Sequence, residues 1–333
     1  MKIVICGSYG AKNKGDEMIL SGLLAMLKDI SPKAEITVLS ADPAATQIEH
    51  KVKSLPQFAA GIRSLFSSQK KSSEAVKNCD FFILGGGGLF GSLTFRANLI
   101  WGIQAYQAYR RARPVLMLGQ SIGELKGFWR KWIVKKLFQK AHYISVRDKD
   151  SKKRLEKLGV KHVHVAPDYA FYQMPTQILA EKKTVAIALR AGVPLDPQIS
   201  KVISWFKEKN WQISYTNFSE PHDRILHQQL DPDASFVLPE DIASKEVLIG
   251  MRLHSIITAI NYQVPFLALS YAPKVSAILK DYRLSGQILD FQHFQRQLEG
   301  TEELRKDLLR LRKEIAQKHR IESQRLKQFL QQG

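Results

Sequence analysis

A chain of 333 residues, 44% of them hydrophobic, is long enough to bury more than one core, and its length points to two domains. Fifty lysines and arginines against 31 aspartates and glutamates give a formal charge of +19, which favours an anionic partner: nucleic acid, anionic lipid headgroups or a phosphorylated substrate. Only Cys6 and Cys79 are present, and no stretch reaches the roughly 20 uninterrupted apolar residues that span a bilayer, which argues against a disulfide framework, a cysteine-rich metal site and a transmembrane helix.

The opening MKIVICGSYG is too short in its apolar run for a signal peptide, so it reads as a first strand in a reducing, cytoplasmic protein. Further buried-strand runs fall at 36–39, 81–84, 115–118 and 143–146, separated by longer amphipathic stretches. That alternation predicts parallel α/β units. The pattern pauses over Tyr172–Lys183 and restarts with runs at 184–189, 211–215, 235–238, 247–249 and 266–269. Two Rossmann-like doubly wound domains are therefore expected, over 1–175 and 183–300, facing a cleft that receives the loops from the carboxyl ends of their strands. Residues 301–333 read as one or two basic amphipathic helices packed on the body.

The loop after the first strand, Gly7 to Glu17, carries three glycines and Asn13, and leads into a helix start that offers N–H groups to an anion. It is neither GxGxxG nor a Walker loop. Asp16 and Glu17 have a plain alternative role as carboxylates favoured at a helix start. After Phe81–Leu84 comes Gly85-Gly86-Gly87-Gly88, which reads as backbone approaching a bound group, with a tight turn as the alternative. Arg147 offers a fork for carboxylate or phosphate, and it could equally pair with Asp148 as a helix cap. Asp168 is open between a loop cap and a hydroxyl-binding carboxylate, and Arg190 ends the first strand of the second domain.

Gly250-Met251-Arg252-Leu253-His254-Ser255 is a strand end, a turn and a first helical turn, where the dipole opposes cations. An anion bound by Arg252 and His254 would resolve that conflict. Ser270-Tyr271-Ala272-Pro273-Lys274 brings a lysine to the same edge of the sheet. The nine histidines are scattered without the spacing of a metal-binding helix, so no metal is expected.

Taken in order, the Gly7–Glu17 loop, the four-glycine run, Ser145–Asp148, Gly250–Ser255 and Ser270–Lys274 resemble the polysaccharide pyruvyltransferase family, with the nearest likeness to the branch that pyruvylates secondary cell-wall polymer precursors for surface-layer anchoring. The resemblance implies a two-domain architecture similar to GT-B, phosphoenolpyruvate as donor co-substrate with no other cofactor, and a lipid-diphosphate-linked sugar as acceptor. It also implies roles. Arg252, Lys274 and Arg147 would hold phosphate and carboxylate, assisted by Arg190, Ser255 and the backbone of Gly85, Gly86 and Gly87. His254 would act as general acid and Asp16 as base, with Asn13, Gly15 and Asp168 on the acceptor side.

The stretch Leu125–Phe138 places apolar residues at helical spacing beside a dense basic face, which suits either an anionic membrane surface or a helix packed on its own sheet. Two other functions fit parts of the sequence. A GT-B-like glycosyltransferase could hold a nucleotide sugar with the same anion-binding loops. A non-catalytic nucleic-acid or anionic-glycan binder would explain the charge, but no zinc finger, RNA-recognition signature or aromatic-basic platform supports nucleic acid as the partner.

Overall fold

The computed structural model describes residues 1–58, 69–91, 95–111, 113–175 and 178–332, the side chains of 95–97, 273 and 274 excepted. The chain divides into two units: Met1–Ala11, Asp16–Tyr172 and Gln317–Gly333 form the first, and Lys12–Gly15 with Gln173–Ala316 form the second.

The first unit is built on a parallel sheet of seven strands in the order β3 (Lys53–Pro56), β2 (Glu35–Ser40), β1 (Lys2–Cys6), β4 (Phe81–Phe90), β5 (Val115–Ile122), β6 (Tyr143–Val146) and β7 (Val163–Val165). Helices α1 (Lys14–Ile30), α2 (Pro43–His50), α3 (Lys70–Lys77), α4 (Phe95–Tyr109), α5 (Phe128–Gln139) and α6 (Lys149–Lys157) connect them. Order reverses between β1 and β4, the switch point at which a doubly wound sheet opens a crevice. Its core includes Phe82, Leu84, Phe90, Met117, Val134 and Phe138, with Phe90 and Phe138 meeting edge to face at 5.3 Å.

The second unit repeats the plan with five parallel strands in the order β10 (Phe236–Val237), β9 (Gln212–Thr216), β8 (Glu181–Ala188), β11 (Lys245–Gly250) and β12 (Phe266–Ala268). It carries α7 (Gln198–Glu208), α8 (His222–Leu230), α9 (Leu253–Tyr262), α10 (Pro273–Asp281) and α11 (Phe294–Glu299). Its core draws on Val185, Ile187, Val202, Phe206, Ile249 and Leu267, and its switch point lies between β8 and β11.

Three differences from the sequence reading have local causes. Gly85–Gly88 do not form a loop; they lie inside β4, which continues to Phe90 by pairing Gly85 with Leu118 and Gly87 with Gln120. Glycines carry no apolar signal, so the apolar run by itself stops at Leu84. β3 escaped notice because KSLP buries only Ser54 and sits at the sheet edge, where a proline is tolerated. Residues 301–333 do not form a separate segment: Thr301–Gln332 is one helix, α12, whose part up to Ala316 belongs to the second unit and whose remainder belongs to the first. Its buried stripe runs Leu304, Leu308, Leu311, Ile315, His319, Glu322, Leu326 and Leu330, a helical period throughout. Residues 12–15 likewise group with the second unit although they precede most of the first.

Gly22 of α1 marks the tightest packing of the first sheet's cover, since a Cβ there would stand 1.8 Å from the carbonyl oxygen of Tyr169. Alanine is the better helix former by about 1 kcal/mol. Gly22→Ala should nevertheless lower stability by about 1–3 kcal/mol, because backbone rather than a mobile side chain must give way. Chemical unfolding checks this, and a stabilised variant would contradict the packing.

Candidate functional site

At the carboxyl edge of the second unit's sheet, the loop after β8 and the start of α9 after β11 converge on one carboxylate. Asp223, in the first turn of α8, is fully buried and accepts Arg252 Nη2 at 2.5 Å. It also accepts backbone N–H groups from Ala191 at 3.2 Å, Phe218 at 3.2 Å and Ser219 at 3.0 Å. Arg252 stands at the N-cap of α9, so the anion that offsets an arginine at a positive helix end is supplied by the chain itself. The guanidinium still has N–H donors that Asp223 does not use, Nε among them.

His227, one helical turn after Asp223, fixes the same corner. Leu189 N–H donates to its Nε2 at 3.1 Å, which leaves Nδ1 to carry the proton and donate to Asn217 Oδ1 at 2.8 Å. Burial pushes its pKa down to about 4, with Arg252 acting the same way and Asp223 opposing. The imidazole is therefore a neutral strut. Arg190, two residues beyond the β8 strand, lies over the Tyr271 ring at 5.0 Å and donates through Nη1 to the Tyr271 hydroxyl.

The residues 12–15 join this cluster through backbone. Lys14 N–H donates to Phe218 O at 2.9 Å, and Asn13 forms an isolated antiparallel bridge with Ser219. Asn13 Oδ1 accepts Gly15 N–H at 3.1 Å. Gly15 lies flat on His254, which occupies the first turn of α9 and is half-buried: a Cβ at position 15 would be 2.1 Å from His254 Nδ1. The histidine ring thus requires a glycine at this position. Ser255 also departs from expectation. Its hydroxyl is buried and donates to Arg252 O at 2.6 Å, so it secures the helix start instead of facing a donor molecule. Lys274 is the second residue of α10, and its side chain lies outside the described residues.

At the carboxyl edge of the first unit's sheet, Arg147 and Asp168 pair with each other. Arg147 Nη1 lies 2.8 Å from Asp168 Oδ2, both side chains 2% exposed. Asp168 Oδ1 accepts Ala170 N–H at 3.0 Å. Direct anion binding by Arg147 and hydroxyl binding by Asp168 both give way to this pair, because each charge is already neutralised in a buried setting. Asp148 is the N-cap of α6, accepting from Ser151, while the arginine beside it turns to Asp168.

The glycine run is likewise filled from within. A Cβ on Gly85 would meet the Tyr9 hydroxyl at 2.3 Å, and one on Gly86 would meet Ile19 at 2.7 Å. These two glycines make room for the chain's own side chains. Gly87, with φ +95°, faces Asp16 Oδ1, 3.3 Å from where its Cβ would stand. Asp16 is half-buried at the start of α1. Glu17 has the structural part: Oε1 accepts Gly10 N–H at 2.8 Å and Oε2 holds His50 Nε2 at 2.9 Å. Glu17, Glu49 and His50 could each offer a ligand atom within 4.8 Å of the others. The two Glu17 contacts explain the group as the anchor of the Gly7–Ala11 loop.

Residues 13–273 match the family described as Polysaccharide pyruvyl transferase. This chain belongs to that family. A curated relative, the amylovoran biosynthesis protein AmsJ of Erwinia amylovora, is 23% identical over 88% of each chain. Two solved structures share the fold. HepE (Alr3699) of Anabaena, in complex with UDP, aligns over 100% of both chains with a TM-score of 0.60 and 12% identity. The UDP-GlcNAc 2-epimerase of Neisseria meningitidis, bound to UDP-GlcNAc, aligns over 98% of this chain and 99% of its own with a TM-score of 0.60 and 12% identity. The span matched to the pyruvyl transferase family opens at Asn13 and closes at Pro273, so it contains Asp16, Arg190, Arg252 and His254 and stops one residue short of Lys274.

Sequence reasoning missed Asp223, Asn217 and His227, which fix this corner of the pyruvyl transferase, and it gave Tyr271 no role beyond its place in the Ser270–Lys274 motif. The only available signal was Asp223 and His227 at i, i+4 in HDRILH, a pattern that many surface helices share.

The neutral His227 has a consequence for pH. Its folded pKa of about 4 lies below the ordinary 6.5, so its contribution to stability is complete above pH 6.5 and is lost as pH falls toward 4. By pH 5 the loss should be about 2 kcal/mol. Urea unfolding at pH 7.5 and pH 5 should show His227→Gln losing less stability than wild type by roughly that amount; equal losses would refute the strut.

Proposed function

We propose that this pyruvyl transferase moves the pyruvyl group of phosphoenolpyruvate onto two hydroxyls of one sugar in a lipid-diphosphate-linked cell-envelope polysaccharide precursor, forming a ketal. The observation that carries the reading is the cationic edge of the second unit, where Asp223 and Tyr271 hold Arg252 and Arg190 beside the start of α9 that bears His254. Phosphoenolpyruvate carries a phosphate and a carboxylate, and two arginine forks answer two anions. Lys274 would add a third cation to the donor side.

In the proposed reaction His254 gives a proton to the methylene carbon, and the adjacent carbon, now cationic, accepts a sugar hydroxyl with formation of a C–O bond. Asp16 takes that hydroxyl's proton. A second hydroxyl then displaces the phosphate: its C–O bond forms as the bond to the phosphate oxygen breaks, and its proton leaves with inorganic phosphate. Histidine suits the acid because its ordinary pKa lies near neutrality. Arg147 and Asp168 enter as the pair that shapes the first unit's edge. The sequence likeness to the surface-layer anchoring branch is the basis for proposing a cell-wall precursor as acceptor.

Calorimetry should detect phosphoenolpyruvate binding to the wild-type protein and its loss in Arg252→Ala. His254→Ala should keep the donor bound while turnover on a lipid-linked acceptor falls by about 10²–10⁴-fold. A folded wild type that binds UDP but not phosphoenolpyruvate would replace this reading with nucleotide-sugar transfer. Near-normal turnover in folded His254→Ala would remove the histidine from the acid role.

A further inference from the structure

α5 satisfies a protein core with only part of its surface. Val134 and Phe138 are buried in the first unit. Leu137 comes within 3.3 Å of where a Cβ of Gly102 in α4 would stand, and Tyr109 of α4 donates its hydroxyl to Leu137 O at 2.7 Å. The amino-terminal turns of α5 are different. Phe128, Trp129 and Trp132 are 71%, 65% and 45% exposed. Their rings meet edge to face, with centroids 5.5 Å apart for Phe128–Trp129 and 6.2 Å for Trp129–Trp132, so the three side chains make one aromatic ridge. Leu99 and Tyr106 on the neighbouring α4 are also exposed.

The charges carried by α5 itself are of one sign. α5 carries Arg130, Lys131, Lys135 and Lys136 and no carboxylate, with Lys126 before it and Lys140 after it. Lys126 reaches Glu124 only at 4.0 Å, both side chains more than 70% exposed, so that pair neutralises little. Large aromatics left in water beside flexible cations match the interface of a bilayer, where indole and phenyl rings enter the headgroup boundary and lysine or arginine heads reach lipid phosphates. A second copy of the chain fits poorly, because a two-fold contact through this face would set the same cations against each other.

We propose that this face of α5 docks the protein on an anionic lipid bilayer, with Phe128, Trp129 and Trp132 inserted at the headgroup level and the flanking lysines and arginines on lipid phosphates. The proposal is independent of the chemistry assigned to the site, since none of these residues belongs to it. Flotation with phosphatidylglycerol vesicles, and with phosphatidylcholine vesicles as the neutral control, tests it. Three proteins are compared: wild type, the triple variant Phe128→Ser, Trp129→Ser, Trp132→Ser, and the double variant Lys131→Glu, Lys136→Glu. Circular dichroism and thermal unfolding verify that each remains folded.

Wild type should float with phosphatidylglycerol and not with phosphatidylcholine, and its tryptophan emission should shift to the blue. Both variants should bind at least about tenfold more weakly. The proposal is overturned if wild type ignores phosphatidylglycerol, or if the folded triple variant binds as well as wild type, which would reduce the effect to overall charge. A wild-type dimer that the triple variant converts to monomer would assign the ridge to self-association instead.

Discussion

A carboxylate removed from water must be met by a cation or by several N–H donors, and in both units that requirement organises the carboxyl edge of the parallel sheet. Asp223 takes Arg252 and the amides of Ala191, Phe218 and Ser219, and Asp168 takes Arg147 and the amide of Ala170. Removing one partner of such a buried pair ordinarily costs about 3–5 kcal/mol, because the survivor keeps its desolvation penalty. The two pairs differ in what remains available. Arg147 is closed off at 2% side-chain exposure, whereas Arg252 keeps 14%, so the second unit's pair both holds its arginine and leaves it presentable.

The rest of the second unit's edge follows from Asp223. Its amide partners are residues that turn the chain after β8 and β9, so fixing them fixes where Arg190 leaves the sheet and where Phe218 offers its carbonyl to Lys14. Lys14 and Asn13 then set Gly15 against His254. Through these contacts a single aspartate positions Arg190 together with Arg252 and His254, which lie some 60 residues further along the chain.

The first unit uses glycine and tyrosine for the same purpose. Tyr9 fills the space over Gly7 and Gly85, and Tyr169 fills the space over Gly119, where a Cβ would come within 2.7 Å of its ring. Tyr169 and Tyr143 in turn donate hydroxyls to Glu322 of α12, at 3.3 and 3.0 Å. Burial raises the Glu322 pKa while the hydrogen bonds from Tyr143 and Tyr169 pull it back. Beside it His319 packs on Tyr172 at 5.3 Å, its pKa pushed down to about 4 by burial. The apolar stripe of the last helix therefore contains two polar residues that lock its end to the tyrosines.

The sequence alone determined the two doubly wound sheets, because apolar runs at strand length alternating with amphipathic stretches have few other ways to bury themselves. It also determined the family, through short motifs at the ends of those strands, and it marked Arg252, His254, Arg190, Asn13 and Asp16 as candidate binding or catalytic groups. Tertiary structure decided what each group does. A glycine run reads the same whether a ligand or a tyrosine occupies the space above it, and only packing shows Tyr9 over Gly85. An arginine before a capping aspartate reads as their pair until the fold brings Asp168 to Arg147 from 21 residues away. Asp223 was silent because two of its partners, Ala191 and Arg252, lie 32 and 29 residues away, and local pattern carries no record of contacts made across such distances.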